Sequence, residues 1–129
     1  MSSVEIPYSI AAALPSLAVL DITNEVAHDV ARAGPENGIA FISTTCEHPC
    51  VVRINERETG FFEDLAALLD RLVPLDTSER ERLLCFLLGP RSEQVPFAER
   101  RLCLGQWQRI LVVGFDDGAR YDWHTTIVG

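Results

Sequence analysis

Residues 60–89 carry two helix-period runs back to back, and every apolar run after them is short and β-rich. In "GFFEDLAALLDRLVP" the apolar residues at positions 61, 62, 65, 68, 69 and 72 repeat with helical spacing, and Pro74 closes the run. Ser78, with Glu81 three residues later, reads as a capping box for a second helix, "ERERLLCFLLG", stopped by Gly89. The segments "EQVPF", "RRLCLG", "QRILVVGF" and "YDWHTTIVG" then follow as strands, divided by turn residues such as Asp116-Asp117-Gly118. A parallel α/β sheet needs a crossover, usually a helix, between successive strands, and these strands have none. The segregation predicts an α+β fold: one domain, a mixed or antiparallel β-sheet sandwich, about three helices.

The first half fits that plan. "VEIPYSI" and "LAVLDI" read as a strand pair. "TNEVAHDVARAG" reads as the first helix, with Thr23 as N-cap and Gly34 as stop. Val26, Val30 and Ala33 share one face there, which places His28 on the solvated side. "GIAFISTT" and "CVVRIN" are two further strands, interrupted at Glu47-His48-Pro49.

A chain of 129 residues buries a sizeable core without staples. Its net charge of −8 argues against nucleic acid, whose phosphates require clustered positive charge. Every basic residue is arginine, a planar fork suited to carboxylates and phosphates. No run is long and apolar enough to span a membrane. The N-terminal "SIAAALPSLAVL" lacks the basic start of a signal peptide. Four cysteines without an export signal imply a cytoplasmic protein with free thiols, Cys85 and Cys103 being ordinary core residues in apolar runs.

The densest chemistry lies in "STTCEHPC", where Cys46, His48 and Cys50 alternate. On an extended strand, residues two apart share a face and lie roughly 6–7 Å apart, so the three side chains can converge on a metal. Thiolates and imidazole suit zinc, with His28, a second subunit or water as fourth ligand. The plainer alternative is two small buried thiols beside a proline turn, with His48 exposed. A cysteine nucleophile with His48 as base would also need an orienting group and an oxyanion hole, which the sequence does not identify. On a straight strand the Cα atoms of Cys46 and Cys50 would stand about 13 Å apart, so a disulfide between them would need Pro49 to fold the chain back.

The order "LLGPRSEQVPF", then "RLCLGQWQRILVVGFDDG", then "TTIVG", preceded by "INERETGFFEDLAALLDRLVP", resembles the YjbQ family of small proteins, often labelled secondary thiamine-phosphate synthases. The similarity runs from about "LAVLDIT" to the end of the chain. It implies an α+β fold, a homotrimer, and a histidine-lined pocket near the subunit interfaces that takes a small anionic or phosphorylated ligand. The family's His-Thr-Thr motif before Ile-Asn-Glu falls here on Glu47, with His48 one place later. A second histidine cluster would fall in "LDTSERERLLCF", which is shortened, holds no histidine, and places Arg82 at the final position. The resemblance therefore implies a divergent member lacking most family histidines. The His124-Thr125-Thr126 triplet sits in the last strand instead, where alternation through Trp123, Thr125 and Ile127 makes His124 a sheet-face residue.

By the same resemblance, Asn55 and Glu56 match the family's Asn-Glu pair and, with His48, form the candidate catalytic set. Glu56 then acts as a general base or orients a ligand. The plainer alternative is a turn cap at Asn55 and a surface ion pair at Glu56. Gly105-Gln106-Trp107-Gln108 stands at the family's Gly-Thr-Trp-Gln motif, which makes Trp107 and Gln108 candidates for ligand binding or for core or trimer packing. Arg53, Arg82 and Arg109 bind phosphate if they converge, and otherwise pair with carboxylates. The ancestral activity joins hydroxymethylpyrimidine diphosphate to a thiazole phosphate, and its leaving group calls for a divalent cation or cationic side chains. No complete zinc motif and no Asp-rich magnesium motif is present, so the cofactor stays open. Two functions follow: a thiamine-phosphate synthase-like enzyme with a remodelled inter-subunit pocket, or a non-catalytic trimeric ligand-binding or structural protein.

Overall fold

The computed structural model describes residues 17–44, 50–56, 59–89, 91–115 and 123–129. In chain order the elements are β1 (Ala18–Asp21), α1 (Thr23–Arg32), β2 (Gly38–Thr44), β3 (Cys50–Glu56) and α2 (Thr59–Leu72). They continue with α3 (Arg80–Leu88), β4 (Ser92–Ala98), β5 (Arg101–Leu102), β6 (Gln108–Gly114) and β7 (Trp123–Val128). The described strands form two antiparallel sheets, of order β1-β6-β3 and β5-β4-β2-β7. The fold is α+β, with three helices among the described residues, as the segregated pattern predicts.

Strand β6 is the axis of the molecule. Ile110 through Phe115 are all buried, because both faces of β6 are covered. On one face Leu111 and Val113 join Val19 and the inner side chains of α2 and α3: Phe62, Ala66, Leu69 and Leu84. On the other, Ile110 and Val112 meet Ala40, Ile42, Val95 and Phe97 of the second sheet and Val26 and Val30 of α1. The three-stranded sheet is thus the middle layer between a helical layer and a second sheet.

Helix α1 ends as predicted, with Gly34 at φ 103° just past Ala33. Its start differs. Ile22, not Thr23, is the N-cap, and being apolar it makes no side-chain cap bond. The Thr23 hydroxyl instead accepts the Ile110 amide (2.8 Å) and donates to Asp21 (2.6 Å). Ala33 is exposed rather than part of the buried face. The capping box at Ser78 does not form either. Helix α3 begins after Glu79 in a left-handed conformation (φ 58°), without a side-chain cap. Arg80 anchors it: Nε donates to the Val73 carbonyl and Nη2 to Asp70, each at 2.8 Å. An orphan carbonyl at the end of α2 is thereby satisfied by the first residue of α3. Cys85 is buried as expected, but Cys103 is exposed, because it lies past the short edge strand β5. The predicted strand "VEIPYSI" and the turn Asp116-Asp117-Gly118 lie outside the described residues.

Candidate functional site

The polar residues gather where β1 ends, α1 begins, β6 begins and β3 ends. Arg109 Nε donates to Asp21 Oδ2 at 2.7 Å, and the two side chains are 14% and 6% exposed. The other Asp21 oxygen, Oδ1, accepts the Thr23 amide at 2.9 Å and the Thr23 hydroxyl at 2.6 Å. The hydroxyl in turn accepts the Ile110 amide, and Arg109 Nη2 lies 3.4 Å from Asn24 Oδ1. A carboxylate with three donors around a guanidinium is a rigid, charge-balanced foundation. The antiparallel register sets Asn55 opposite Arg109 and Glu56 opposite Gln108, so β3 brings the Asn-Glu pair to this same edge.

The other end of β3 is a different place. Cys50 pairs with Gly114, six residues along the ladder from Glu56 and Gln108. At about 3.4 Å per residue the two ends are roughly 20 Å apart. The segment holding Cys46 and His48 joins β3 at the Cys50 end and lies outside the described residues. A single chain therefore does not set the Asn55–Glu56 end and the Cys50 end of β3 side by side. On the second sheet, Thr44 at the end of β2 is buried, and Glu93 and Thr125 are half-buried. Glu93 and Thr125 flank Ile42 on either side in the ladder. Thr125 Oγ1 is buried and, among the described residues, is the one such side-chain atom without a hydrogen-bond partner.

The remaining predicted residues separate. Arg82 is exposed and pairs with Glu79 at 3.3 Å, while Arg109 is committed to Asp21, so each is engaged elsewhere than with the other. Arg53 stands opposite Leu111 in the ladder. Trp107 is 56% exposed at the tip of the turn before β6, so it is not core packing. Gln108 Oε1 accepts the Gly105 amide at 2.7 Å, and the Gln108 amide donates to the Gly105 carbonyl at 3.0 Å, which closes that turn. His28 is exposed, its Nε2 3.4 Å from Arg32. His124 is exposed opposite Ser43 on β2. No group of three or more metal-competent side chains occurs among the described residues, and none of their helices is long and apolar enough to cross a membrane.

Sequence reasoning missed Asp21, Thr23 and Asn24 as site residues. The available signal was an Asp followed two residues later by Thr at a strand-to-helix junction, a spacing that favours local hydrogen bonding. Neither residue carries a mark of its partner in β6.

The family model described as UPF0047 protein YjbQ-like matches residues 15–129. A UPF0047 protein of Archaeoglobus fulgidus is 35% identical over 107 residues, 76% of this chain and 81% of the relative. A structure from Clostridium acetobutylicum superposes with a TM-score of 0.76 at 26% identity, covering 88% of this chain and 91% of that one. A hypothetical protein from Aeropyrum pernix superposes with a TM-score of 0.74, also at 26% identity, over 88% and 90% of the two chains.

Proposed function

This chain belongs to the YjbQ-like UPF0047 family, and on that premise we propose that it handles a small phosphorylated ligand at the Asn55–Glu56 edge of the three-stranded sheet. The observation that carries this reading is the convergence of that edge on the buried Asp21–Arg109 pair, which holds β6 and the start of α1 in a fixed relation. The reaction is the group transfer to which the resemblance points. A thiazole nitrogen attacks the methylene carbon of hydroxymethylpyrimidine diphosphate, the carbon–oxygen bond breaks, and pyrophosphate leaves. That nitrogen has no proton to lose, so Glu56 serves better as an orienting carboxylate facing the positive charge that grows on the ring than as a base. Arg53 would neutralise the departing pyrophosphate, a divalent cation, if bound, would supply further charge neutralisation, and Trp107 would offer a stacking surface. The protein assembles as a homotrimer in which a neighbouring subunit contributes His48, because Cys50, the first residue of β3, lies at the other end of the ladder from Glu56.

A second reading is favoured by one feature: the guanidinium of Arg109 is already neutralised by Asp21 and is not free for phosphate. The protein is then a non-catalytic binder. The two are separated by assaying thiamine phosphate formation and ligand binding by calorimetry, with wild type and Glu56→Gln. Catalysis predicts a loss of roughly 10²–10³ in turnover with binding retained. Binding without turnover in the wild type selects the second reading. An undisturbed Glu56→Gln removes this residue from either.

A further inference from the structure

The turn that leads into β6 is clasped from both sides. In Gly105-Gln106-Trp107-Gln108, the Gln108 amide donates to the Gly105 carbonyl at 3.0 Å, the ordinary closing bond of a β-turn. The Gln108 side chain adds a bond in the opposite direction, its Oε1 accepting the Gly105 amide at 2.7 Å. The approach is tight. A Cβ on Gly105 would lie 3.2 Å from Cδ and Oε1 of Gln108, so a side chain there would press on the clasp. Past the turn, Arg109 is held by Asp21, whose side chain is 6% exposed. The backbone of Trp107 is therefore fixed on both sides.

All four turn residues are exposed, and none belongs to either core. An exposed hydrogen bond exchanges with water at small net gain, so folding alone gives little reason for a second one. The clasp instead fixes where Trp107 stands. Trp107 is 56% exposed, and among the described residues no aromatic ring lies against it. Gln108 is opposite Glu56 in the ladder, so Trp107 sits one residue beyond that rung, at the end of the sheet that carries Asn55. An indole is a broad, flat, π-rich surface, and a fixed backbone reduces the ordering entropy lost when a ligand covers it. What fits such a face is another planar ring, which stacks on it whatever its substituents.

We propose that Trp107 is the surface on which the ligand's ring stacks, and that Gln108 is the positioning residue that holds it there. The class of ligand selected is a phosphate ester of a planar heterocycle, in preference to a bare pyrophosphate. This inference rests on the ligand site proposed above and names what distinguishes its ligand. Gln108 then acts through Trp107 rather than by touching the ligand, since its Oε1 is already taken by Gly105.

The test is calorimetry with two probes, hydroxymethylpyrimidine diphosphate and inorganic pyrophosphate, on wild type, Trp107→Leu, Trp107→Tyr and Gln108→Met. Loss of the stacked face in Trp107→Leu should weaken binding of the ring-bearing probe by roughly 5- to 150-fold. Trp107→Tyr, which keeps a planar face, should recover most of that. Gln108→Met keeps the length of the side chain but not its acceptor, and should weaken the same probe by roughly 2- to 12-fold, the cost of ordering one side chain. None of the variants should change the pyrophosphate affinity, which also reports that the site remains folded. Fluorine NMR of protein carrying 5-fluorotryptophan supplies a second readout. The chain has two tryptophans, so the Trp107 line is the one missing from Trp107→Leu. It should shift with the ring-bearing probe, stay in place with pyrophosphate, and narrow in Gln108→Met as the indole gains motion. A wild type that binds neither probe overturns the site and this inference together. Equal affinity for the two probes in the wild type, or a Trp107→Leu loss that is absent or the same for both, overturns the inference alone. A Gln108→Met protein with wild-type affinity and line width removes Gln108 as the positioning residue.

Discussion

Replacing Asp21 by alanine removes three hydrogen bonds at once and leaves the Arg109 cation without its partner. Breaking a buried pair by deleting one member costs about 3–5 kcal/mol, because the remaining charge is neither solvated nor paired. Arg109 is 14% exposed and keeps Asn24 Oδ1 at 3.4 Å, so the lower end applies, about 3 kcal/mol. Arg109→Ala is milder: Asp21 retains both donors of Thr23, which leaves the loss of one charged hydrogen bond, about 1.5–3 kcal/mol. In the double variant no charge is stranded, so its cost falls short of the sum by roughly 1.5 kcal/mol or more. Urea unfolding of the four proteins measures this cycle, provided the slope of stability against denaturant stays constant. Hydrogen exchange supplies an independent readout. The Ile110 amide donates to the hydroxyl that Asp21 orients, and should exchange faster in Asp21→Ala. A cost below about 1 kcal/mol, the worth of an exposed pair, or strict additivity would refute the view that this pair is the foundation of the site.

Two further outcomes probe the second sheet. Gly38→Ala should cost about 1–3 kcal/mol in thermal or urea unfolding, the range for overpacking. A Cβ there would collide with the Val128 carbonyl and lie 2.8 Å from Gly129 Cα and 2.9 Å from Phe97 Cζ. At the β4–β5 hairpin, Glu99 (φ 52°) and Arg100 (φ 64°) both hold left-handed conformations that other residues adopt with less strain. Glu99→Asn with Arg100→Gly should therefore raise stability by roughly 0.5–1 kcal/mol, as an Asn-Gly type I′ turn does. The gain is reduced by loss of the exposed contact from Arg100 to the Gly34 carbonyl.

Periodicity located the elements because it reports a local property, the side of a helix or strand that avoids water. It put the helix ends near Pro74 and Gly89 and the strand core at "QRILVVG". It could not tell which of two apolar stripes on α2 faces the body of the protein. Positions 61, 62, 65, 68, 69 and 72 looked equivalent, yet Phe62 and Leu69 are buried while Phe61, Leu68 and Leu72 are exposed. Caps were misread for a related reason. Thr23 and Ser78 suit helix starts, but Thr23 is drawn to a β6 amide 87 residues away and α3 is held instead by Arg80. At the site, the family motifs pointed to Asn55, Glu56, Trp107 and Gln108, while the spacing of Asp21 and Thr23 marked a local turn but not the partner Arg109.

The segregation of helices from strands, with their spacing and turn residues, was enough by itself to determine an α+β domain, and the ordered motifs "INE", "LLGP" and "GQWQ" carried the resemblance to its family. These properties depend on neighbours a few residues apart, where hydrogen bonding and side-chain direction are set by the local backbone. The sharing of β6 between two cores was decided only by the tertiary structure. So were the pairing of Asp21 with Arg109 across 88 residues and the separation of the Cys50 and Glu56 ends of β3. These depend on which surfaces lose water against each other, and that choice is made by the whole chain at once.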